Sequence, residues 1–349
     1  MYWKPLLSQP ETKSALFLLS ASVFLLISVC FMQSFTLTGY IVASLVIGFT
    51  CRKLASGRSF IHLDYGLTGK VVIITGASSG IGRVVAVELA KLGAKVILGI
   101  RGERRAKIIA EDIQHAAKVS PGKVIGYNLD LSDLTTIKSF VDQILEHEQS
   151  VDILVNNAGI LRKAHSLTVD GFESHFGINH LGHFYLTQLL LPLLIQSKAR
   201  IIAVSCMTSW SSFDEDRINY QFPLSNYHGM TAYSKSKLAQ IWHVSELQRH
   251  YGDQGITAFS LHPGVVNTHI WRESPKYVQA LLRVLHYLVT KTPFQGAQTV
   301  LYCCLADNLK SGVFYADCHE AQPVSLGYNE KLARECWDIS EKMIKEKLH

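Results

Sequence analysis

From Ser14 to Cys51 the chain carries no charged side chain, and the reading of its N-terminus follows from that absence. The run outlasts the roughly 20 apolar residues that take one helix across a bilayer and falls just short of two such lengths. Polar Gln33 and Ser34 sit near its middle, so it reads as two short apolar spans, about 14–33 and 35–51, joined by a tight turn. Lys4 and Lys13 precede the run, and Arg52, Lys53 and Arg58 follow it. Basic residues on both flanks favour both ends on the cytoplasmic face, which makes a hairpin. A cleaved signal peptide would have a much shorter apolar core and a small-residue cleavage site, and neither is found. One tilted helix followed by an interfacial segment is the alternative. Residues 1–60 are therefore expected to be a membrane anchor, with the lipid bilayer as a partner.

Other scarcities narrow the function. The seven cysteines are scattered, apart from the adjacent Cys303 and Cys304, and no Cys-x-x-Cys or Cys/His ligand spacing occurs. Neither a disulfide framework nor a zinc site is suggested, which suits a reducing, cytosolic setting. His180 and His183 lie one helical turn apart, but no third ligand accompanies them, so no metal is expected. The net charge of +6 is modest and no run of Lys and Arg alternates with aromatics, so the balance speaks for a membrane surface and against nucleic acid. Internal repeats and low-complexity linkers are also missing. Beyond the anchor, a single domain over 67–340 is expected, with 341–349 as a C-terminal tail.

What is present centres on Lys70 to Ala90. Val71 to Ile74 is an unbroken β-branched run, the composition of a parallel strand buried on both faces, and it stops at a glycine-rich turn. After the turn Ile81, Val84, Val85, Leu89 and Leu92 recur at helical spacing. The unit is strand, glycine turn, helix, the opening of a dinucleotide-binding fold. Gly76 permits the tight turn, Gly80 lets backbone approach a pyrophosphate, and Gly82 lets helix and strand pack closely, with the helix N-terminus facing the phosphates. Beyond it strands and helices alternate as in a doubly wound sheet. The strands are Lys95–Ile100, Lys123–Asn128, Ile153–Val155, Arg200–Val204 and Thr257–Leu261. The helices are Arg104–Ala117, Leu134–Glu148, Phe176–Gln196 and Ala232–His250. Because the nucleotide site begins at Thr75, the hairpin should contribute location and not fold.

Tyr233-Ser-Lys-Ser-Lys237 carries the chemistry. Four residues apart on a helix, Tyr233 and Lys237 share a face. A neighbouring ammonium favours a phenolate, so Lys237 is expected to lower the tyrosine pKa and make it usable as acid and base. At the end of the second strand stand Gly99, Ile100 and Arg101, with no acidic residue to hold a ribose 2′-hydroxyl. That favours NADP(H) over NAD, with Arg101 facing the 2′-phosphate. Arg104 and Arg105 fit equally well as a solvated helix start.

With the glycine turn, this pattern resembles the short-chain dehydrogenase/reductase superfamily over roughly Leu67 to Ser340. The resemblance implies a Rossmann-type α/β fold, a doubly wound parallel sheet, and an NAD(P)-dependent enzyme acting on CH–OH groups. It implies cofactor contacts from Gly76, Ser78, Ser79, Gly80, Ile81 and Gly82, with Tyr233 and Lys237 at the nicotinamide end. Asp130 and Leu131 would touch the adenine, and Asn157, Ala158 and Gly159 would support the sheet beside the adenosine. Pro263, Gly264, Val266 and Thr268 belong to a loop that closes over the nicotinamide. Asn179 would hold a proton-relay water against Lys237. The family's second serine, which bonds the substrate oxygen, is here Cys206, after Ser205. A thiol is a weak donor, so carbonyl polarisation should suffer unless Ser205, Ser209 or the thiol compensates. Alternation along a strand turns Ser205 away from the site and favours Cys206.

Asn-His-Leu-Gly-His-Phe-Tyr-Leu-Thr, Ser-Lys-Leu-Ala and the C-terminal Tyr-Asn-Glu-Lys-Leu-Ala-Arg-Glu-Cys-Trp resemble the membrane-bound retinol dehydrogenase branch. His-Pro-Gly-Val-Val-Asn-Thr and the ending around Tyr328 are especially similar to a member acting on polyprenols. A polyprenol-, dolichol- or retinol-type isoprenoid is the implied lipophilic substrate. The implied location is the endoplasmic reticulum or a lipid droplet, with the catalytic domain in the cytosol. A nucleotide-binding scaffold that has lost turnover, or a steroid dehydrogenase, are the competing readings, and a homodimer is one assembly open to it. Specificity is expected to reside in Met207 to Met230 and in the apolar Ile270 to Gln295.

Overall fold

β-branched runs too apolar for either face to meet water stack into a sheet covered on both sides. The computed structural model describes residues 10–31, 37–60, 65–120, 122–207, 227–266, 288, 290–323 and 325–348. After helices α1 (Pro10–Phe31) and α2 (Leu37–Ser56) come β1 (Val71–Thr75), α3 (Gly80–Lys91), β2 (Lys95–Ile100), α4 (Glu103–Ala117), β3 (Val124–Asn128), α5 (Leu134–His147) and β4 (Ile153–Asn156). A π-helical turn, Phe176–Leu181, leads into α6 (Gly182–Gln196), then β5 (Arg200–Val204), α7 (Gly229–Tyr251), β6 (Thr257–His262), α8 (Pro293–Leu305), β7 (Phe314–Ala316), β8 (His319–Glu320) and α9 (Glu330–Leu348).

The strand order is β3-β2-β1-β4-β5-β6-β7-β8. All neighbours run parallel except β7 and β8. The order reverses between β1 and β4, which opens a crevice at the carboxyl ends of the strands. Alternate residues of β1 feed the two cores. Val71 and Ile73 join Phe140, Phe184 and Trp242 on the face covered by α5, α6, α7 and α9. Val72 and Ile74 join Val85, Leu89, Ile113 and Val300 under α3, α4 and α8. The doubly wound sheet expected from the sequence is therefore present.

Three further details bear on the expectations. In the expected C-terminal tail, 341–348 continue α9, which runs through to Leu348 and buries Ile344. The helix expected over Phe176–Gln196 opens with six π-helical residues. The N-terminal segment, expected to take no part in the fold, touches the domain: Arg52 donates to the Thr290 carbonyl, Ser14 to the Leu288 carbonyl, and the Arg58 amide to Asp317.

The described side chains leave out those of residues 23–42, and among the described residues no helix is long and apolar enough to cross a membrane. The two N-terminal helices pack on each other and present Leu16, Phe17, Leu19, Leu45, Val46 and Phe49 to the outside. Leu45 and Phe49 are 68% and 71% exposed.

Candidate active site

Parallel pairing brings the ends of β1, β4, β5 and β6 to one edge of the sheet. Ile74 is in register with Val155, Asn156 with Ala203, and Val204 with Leu261. The residues that follow each strand therefore meet, although the sequence spreads them over nearly 190 positions.

The glycine turn after β1 is built against the Asn156–Gly159 loop. Gly76 lies at φ 69°, and a Cβ there would stand 2.7 Å from the Ala158 Cα. A Cβ on Gly82 would meet Asn157 Nδ2 at 2.5 Å and the Gly76 carbonyl at 2.7 Å. Gly82 thus lets α3 close onto the turn itself and the loop after β4. Asn157 seals the junction, donating from Nδ2 to the Thr75 carbonyl at 2.9 Å. The turn leaves the N-terminus of α3 free of side chains from Gly80 and Gly82, with Ser79 exposed at its cap and Ser78 and Ile81 partly exposed. This cradle fits a pyrophosphate.

Thr75 links the glycine turn to α6 and to the π-helical turn before it. Its hydroxyl accepts from the Asn157 and Ala158 amides, both at 3.0 Å, and lies 2.8 Å from His183 Nε2. His183 Nδ1 lies 3.0 Å from the Asn179 carbonyl. With Nδ1 protonated, Thr75 donates to Nε2 and His183 donates to Asn179, which satisfies the whole chain. Burial depresses the His183 pKa to about 4, and the neutral ring fits this assignment.

Asn179 sits in the π-helical turn. Its Oδ1 accepts from the Ile160 amide at 2.8 Å, and its Nδ2 donates to the Ile160 carbonyl and to Ser236 Oγ. Gln240 donates to its carbonyl. A Cβ on Gly159 would come within 3.2 Å of Lys237 Nζ and 3.4 Å of Asn179 Oδ1, so these three residues crowd one point.

Tyr233 and Lys237 share a face of α7, with the ammonium 5.9 Å from the phenol ring centroid. Lys237 is buried and donates to the Val204 carbonyl at 2.8 Å. Burial, partly opposed by Cys206, lowers its pKa to about 8. The expected fall in the tyrosine pKa is not found. Burial, and then Cys206 beside it, push the Tyr233 phenol well above its usual value. Desolvation sets the direction, and the hydroxyl is held in its neutral form.

After β5 the two candidate replacements for serine part company. Ser205 is buried, and its hydroxyl donates to the Lys237 carbonyl at 2.5 Å. Cys206 is half-buried, and its side chain hydrogen-bonds the Tyr233 hydroxyl. The structure thus brings Tyr233, Lys237, Asn179 and Cys206 together.

The remaining predicted residues fall around this centre. Arg101 is exposed directly after β2, whose Gly99 pairs with Thr75. Asp130 accepts from the Ser132 amide and hydroxyl, and Leu131 is buried. After β6, Pro263 is buried, Gly264 has φ 93° and Val266 bridges to Lys291. Thr268, Ser209 and most of both specificity segments lie outside the described residues. Among the described residues no group of three His, Cys, Asp or Glu could hold a metal. His180 Nε2 lies 2.8 Å from Ser340 Oγ.

Sequence reasoning missed a buried cluster beside Tyr233. Glu173 Oε1 lies 2.8 Å from His175 Nδ1 and accepts from the Tyr227 hydroxyl at 2.9 Å. The His175 ring stands edge-on to Tyr233 at 6.3 Å. Nothing in the spacing of these three residues announces the cluster. Gln240 was legible, since it follows Lys237 at helical spacing on the active face.

The short chain dehydrogenase family matches residues 70–278. Retinol dehydrogenase 14 of Homo sapiens is 39% identical over 299 residues, covering 80% of this chain and 88% of that protein. Retinol dehydrogenase 12 of Mus musculus is 40% identical over 277 residues, covering 78% and 86%. A crystal structure of an uncharacterized protein from Mycobacterium paratuberculosis is 32% identical, with a TM-score of 0.63, covering 82% of this chain and 98% of that one. With the dinucleotide cradle and the Tyr233–Lys237 pair, these matches establish that the chain belongs to the short-chain dehydrogenase/reductase family, the NAD(P)-dependent oxidoreductases that act on alcohols.

Proposed function

We propose that this protein is a membrane-anchored oxidoreductase that interconverts a lipophilic alcohol and its aldehyde or ketone, with NADP(H) as the preferred cofactor and a polyprenol-, dolichol- or retinol-type isoprenoid as substrate. The observation that carries the chemistry is the junction of Tyr233, Lys237 and Cys206 at the end of β5. Gly76, Ser78, Ser79, Gly80, Ile81 and Gly82 would hold the pyrophosphate, Asp130 and Leu131 the adenine, Asn157 to Gly159 the adenosine side, and Pro263 to Thr268 the nicotinamide. When bound, the nicotinamide supplies or accepts the hydride at the carbinol carbon.

In the reductive direction Tyr233 Oη delivers the proton to the substrate oxygen. Its raised pKa keeps that proton in place at neutral pH. Lys237 holds a positive charge beneath the phenol and stabilises the phenolate that remains. Cys206 stands where a second donor would meet the same oxygen. Asn179 fixes the Ile160 loop and Ser236 around the lysine. Arg101, exposed at the end of β2, would face a 2′-phosphate.

The lipophilic substrate and the bilayer are supported by the uncharged run from Ser14 to Cys51, by the exposed apolar side chains of α1 and α2, and by relatives named for retinol. The ending around Tyr328 supports a polyprenoid. The endoplasmic reticulum or a lipid droplet, with the catalytic domain in the cytosol, is the location this reading favours. The weak donor at Cys206 motivates the competing reading of a nucleotide-binding scaffold or sensor. Retinoid, steroid and polyprenoid alcohols, each offered with NAD and NADP in detergent, test the proposal. Turnover of a polyprenoid or retinoid with NADP supports it; turnover of none with either cofactor would favour the scaffold. Release of intact protein by alkaline carbonate would refute integral insertion.

A further inference from the structure

The N-terminal helices are stitched to the catalytic domain by polar contacts that a simple tether does not need. Arg52, near the end of α2, donates from one guanidinium nitrogen to the Thr290 carbonyl at 2.5 Å and from another to the Gln295 carboxamide oxygen. That oxygen also accepts from the Thr292 amide, while the Thr292 hydroxyl accepts from the Gln295 amide. Arg52 therefore closes onto the capping box that starts α8. Between its two acceptors lies Lys291, whose amide donates to the Val265 carbonyl at 2.8 Å and which bridges to Val266. Val266 in turn packs on α8 at Gly296, whose other side meets the start of α3: a Cβ on Gly296 would stand 2.5 Å from Val266 Cγ2 and 3.3 Å from Ile81. A short chain of contacts thus runs from α2 to the loop after β6 and on to the cofactor cradle.

A second set of contacts reinforces the first. The buried Ser14 hydroxyl donates to the Cys51 carbonyl at 2.6 Å and to the Leu288 carbonyl at 3.2 Å. Lys291 Nζ pairs with Asp317 at 3.1 Å, and the same carboxylate oxygen accepts from the Arg58 amide at 2.8 Å. At Gly57, with φ 67°, a Cβ would fall 2.1 Å from Asp317 Oδ1 and 2.8 Å from Lys291 Nζ. The segment leaving α2 lies directly over a buried ion pair, which would be stranded without that cover.

We infer that the N-terminal hairpin is a positioning element of the active site, and that Arg52 is its positioning residue: by holding the Thr290–Gln295 turn it sets the Val265–Val266 segment against the cofactor cradle. The inference rests on the proposed assignment of the loop after β6 to the nicotinamide, and not on the identity of the lipophilic substrate. Arginine suits the task because its planar fork serves a carbonyl and a carboxamide at once, which a lysine does not reproduce.

The test compares full-length wild type, Arg52→Ala and Arg52→Lys in detergent. NADPH affinity is read by fluorescence titration, hydrogen exchange over 260–266 and 290–296 by mass spectrometry, and membrane retention by alkaline carbonate. Arg52→Ala is expected to stay membrane-retained while NADPH binds roughly tenfold more weakly, the scale of one charge-assisted hydrogen bond, with faster exchange in both segments. Arg52→Lys should fall between the two. A lysine variant indistinguishable from wild type in affinity and exchange overturns the inference, even if the alanine variant does not fold. Faster exchange at 263–266 with unchanged NADPH affinity overturns it through its premise, the cofactor role of that loop. Failure of the membrane reading would appear separately, as release of the wild type by carbonate.

Discussion

Replacing Cys206 with serine should make this protein a faster enzyme. The Cys206 side chain shares a hydrogen bond with the Tyr233 hydroxyl, so position 206 adjoins the atom proposed to hand its proton to the substrate oxygen. Ser205 cannot substitute without giving up another bond, because its hydroxyl is buried against the Lys237 carbonyl at 2.5 Å and its amide donates to the Leu261 carbonyl. A single well-placed donor to a developing oxyanion is worth about 10² to 10³ in rate, and a thiol already supplies part of that. Cys206→Ser is therefore expected to raise kcat by roughly severalfold to a hundredfold. Ser205→Ala removes a buried hydroxyl-to-carbonyl bond and should cost about 1 kcal/mol of stability, with little change in kcat per folded molecule. The assay is steady-state reduction of one isoprenoid aldehyde by NADPH in detergent, with thermal melting of both variants. A loss of tens-fold in Ser205→Ala beside an unchanged Cys206→Ser would reverse the assignment. If neither variant altered turnover, neither side chain would be touching the substrate oxygen.

Three further outcomes follow from the same geometry. Arg101→Asp should shift the enzyme towards NAD, since it trades attraction to a 2′-phosphate for repulsion, by on the order of tenfold to a hundredfold in relative affinity; a wild type that already prefers NAD and a variant that changes nothing would remove Arg101 from the site. Gly82→Ala would place a Cβ 2.5 Å from Asn157 Nδ2 and 2.7 Å from the Gly76 carbonyl, so NADPH affinity should fall by at least about tenfold, which isothermal titration would read. Because burial depresses Lys237 to about 8, its ammonium is present below that pH and lost above it, while the raised pKa of Tyr233 keeps the phenol protonated. Reductive kcat/KM should thus fall as pH rises through about 8, and Lys237→Arg should abolish that limb; a profile flat to pH 10 would contradict the role of the lysine.

The sheet was legible because its strands are short apolar runs separated by segments of helical period, and β1 is β-branched throughout. Val71–Ile74 and its glycine turn announced β1 and α3, and the four-residue spacing of Tyr233 and Lys237 announced their shared face. The pattern thinned after β6. α8 and the short β7 and β8 were not anticipated, because Pro293–Leu305 carries buried Gln298 and Thr299 among its apolar residues, and three- and two-residue strands are too brief to show a period. The raised pKa of Tyr233 was not legible either. Spacing gives the proximity of a lysine but not the depth of burial, and here burial decides the sign. The Glu173–His175–Tyr227 cluster draws in Tyr227 from 52 to 54 positions away through tertiary contact.

The most direct test of the proposed chemistry is Tyr233→Phe, measured beside wild type for reduction of a long-chain isoprenoid aldehyde by NADPH. The substitution removes one hydroxyl, the proton donor, and leaves the ring, Lys237 and the cofactor cradle in place. NADPH binding should be retained within a few-fold while turnover falls by roughly 10² to 10⁴, the range a positioned general acid supplies. Turnover that survives in Tyr233→Phe at the wild-type rate would contradict the account.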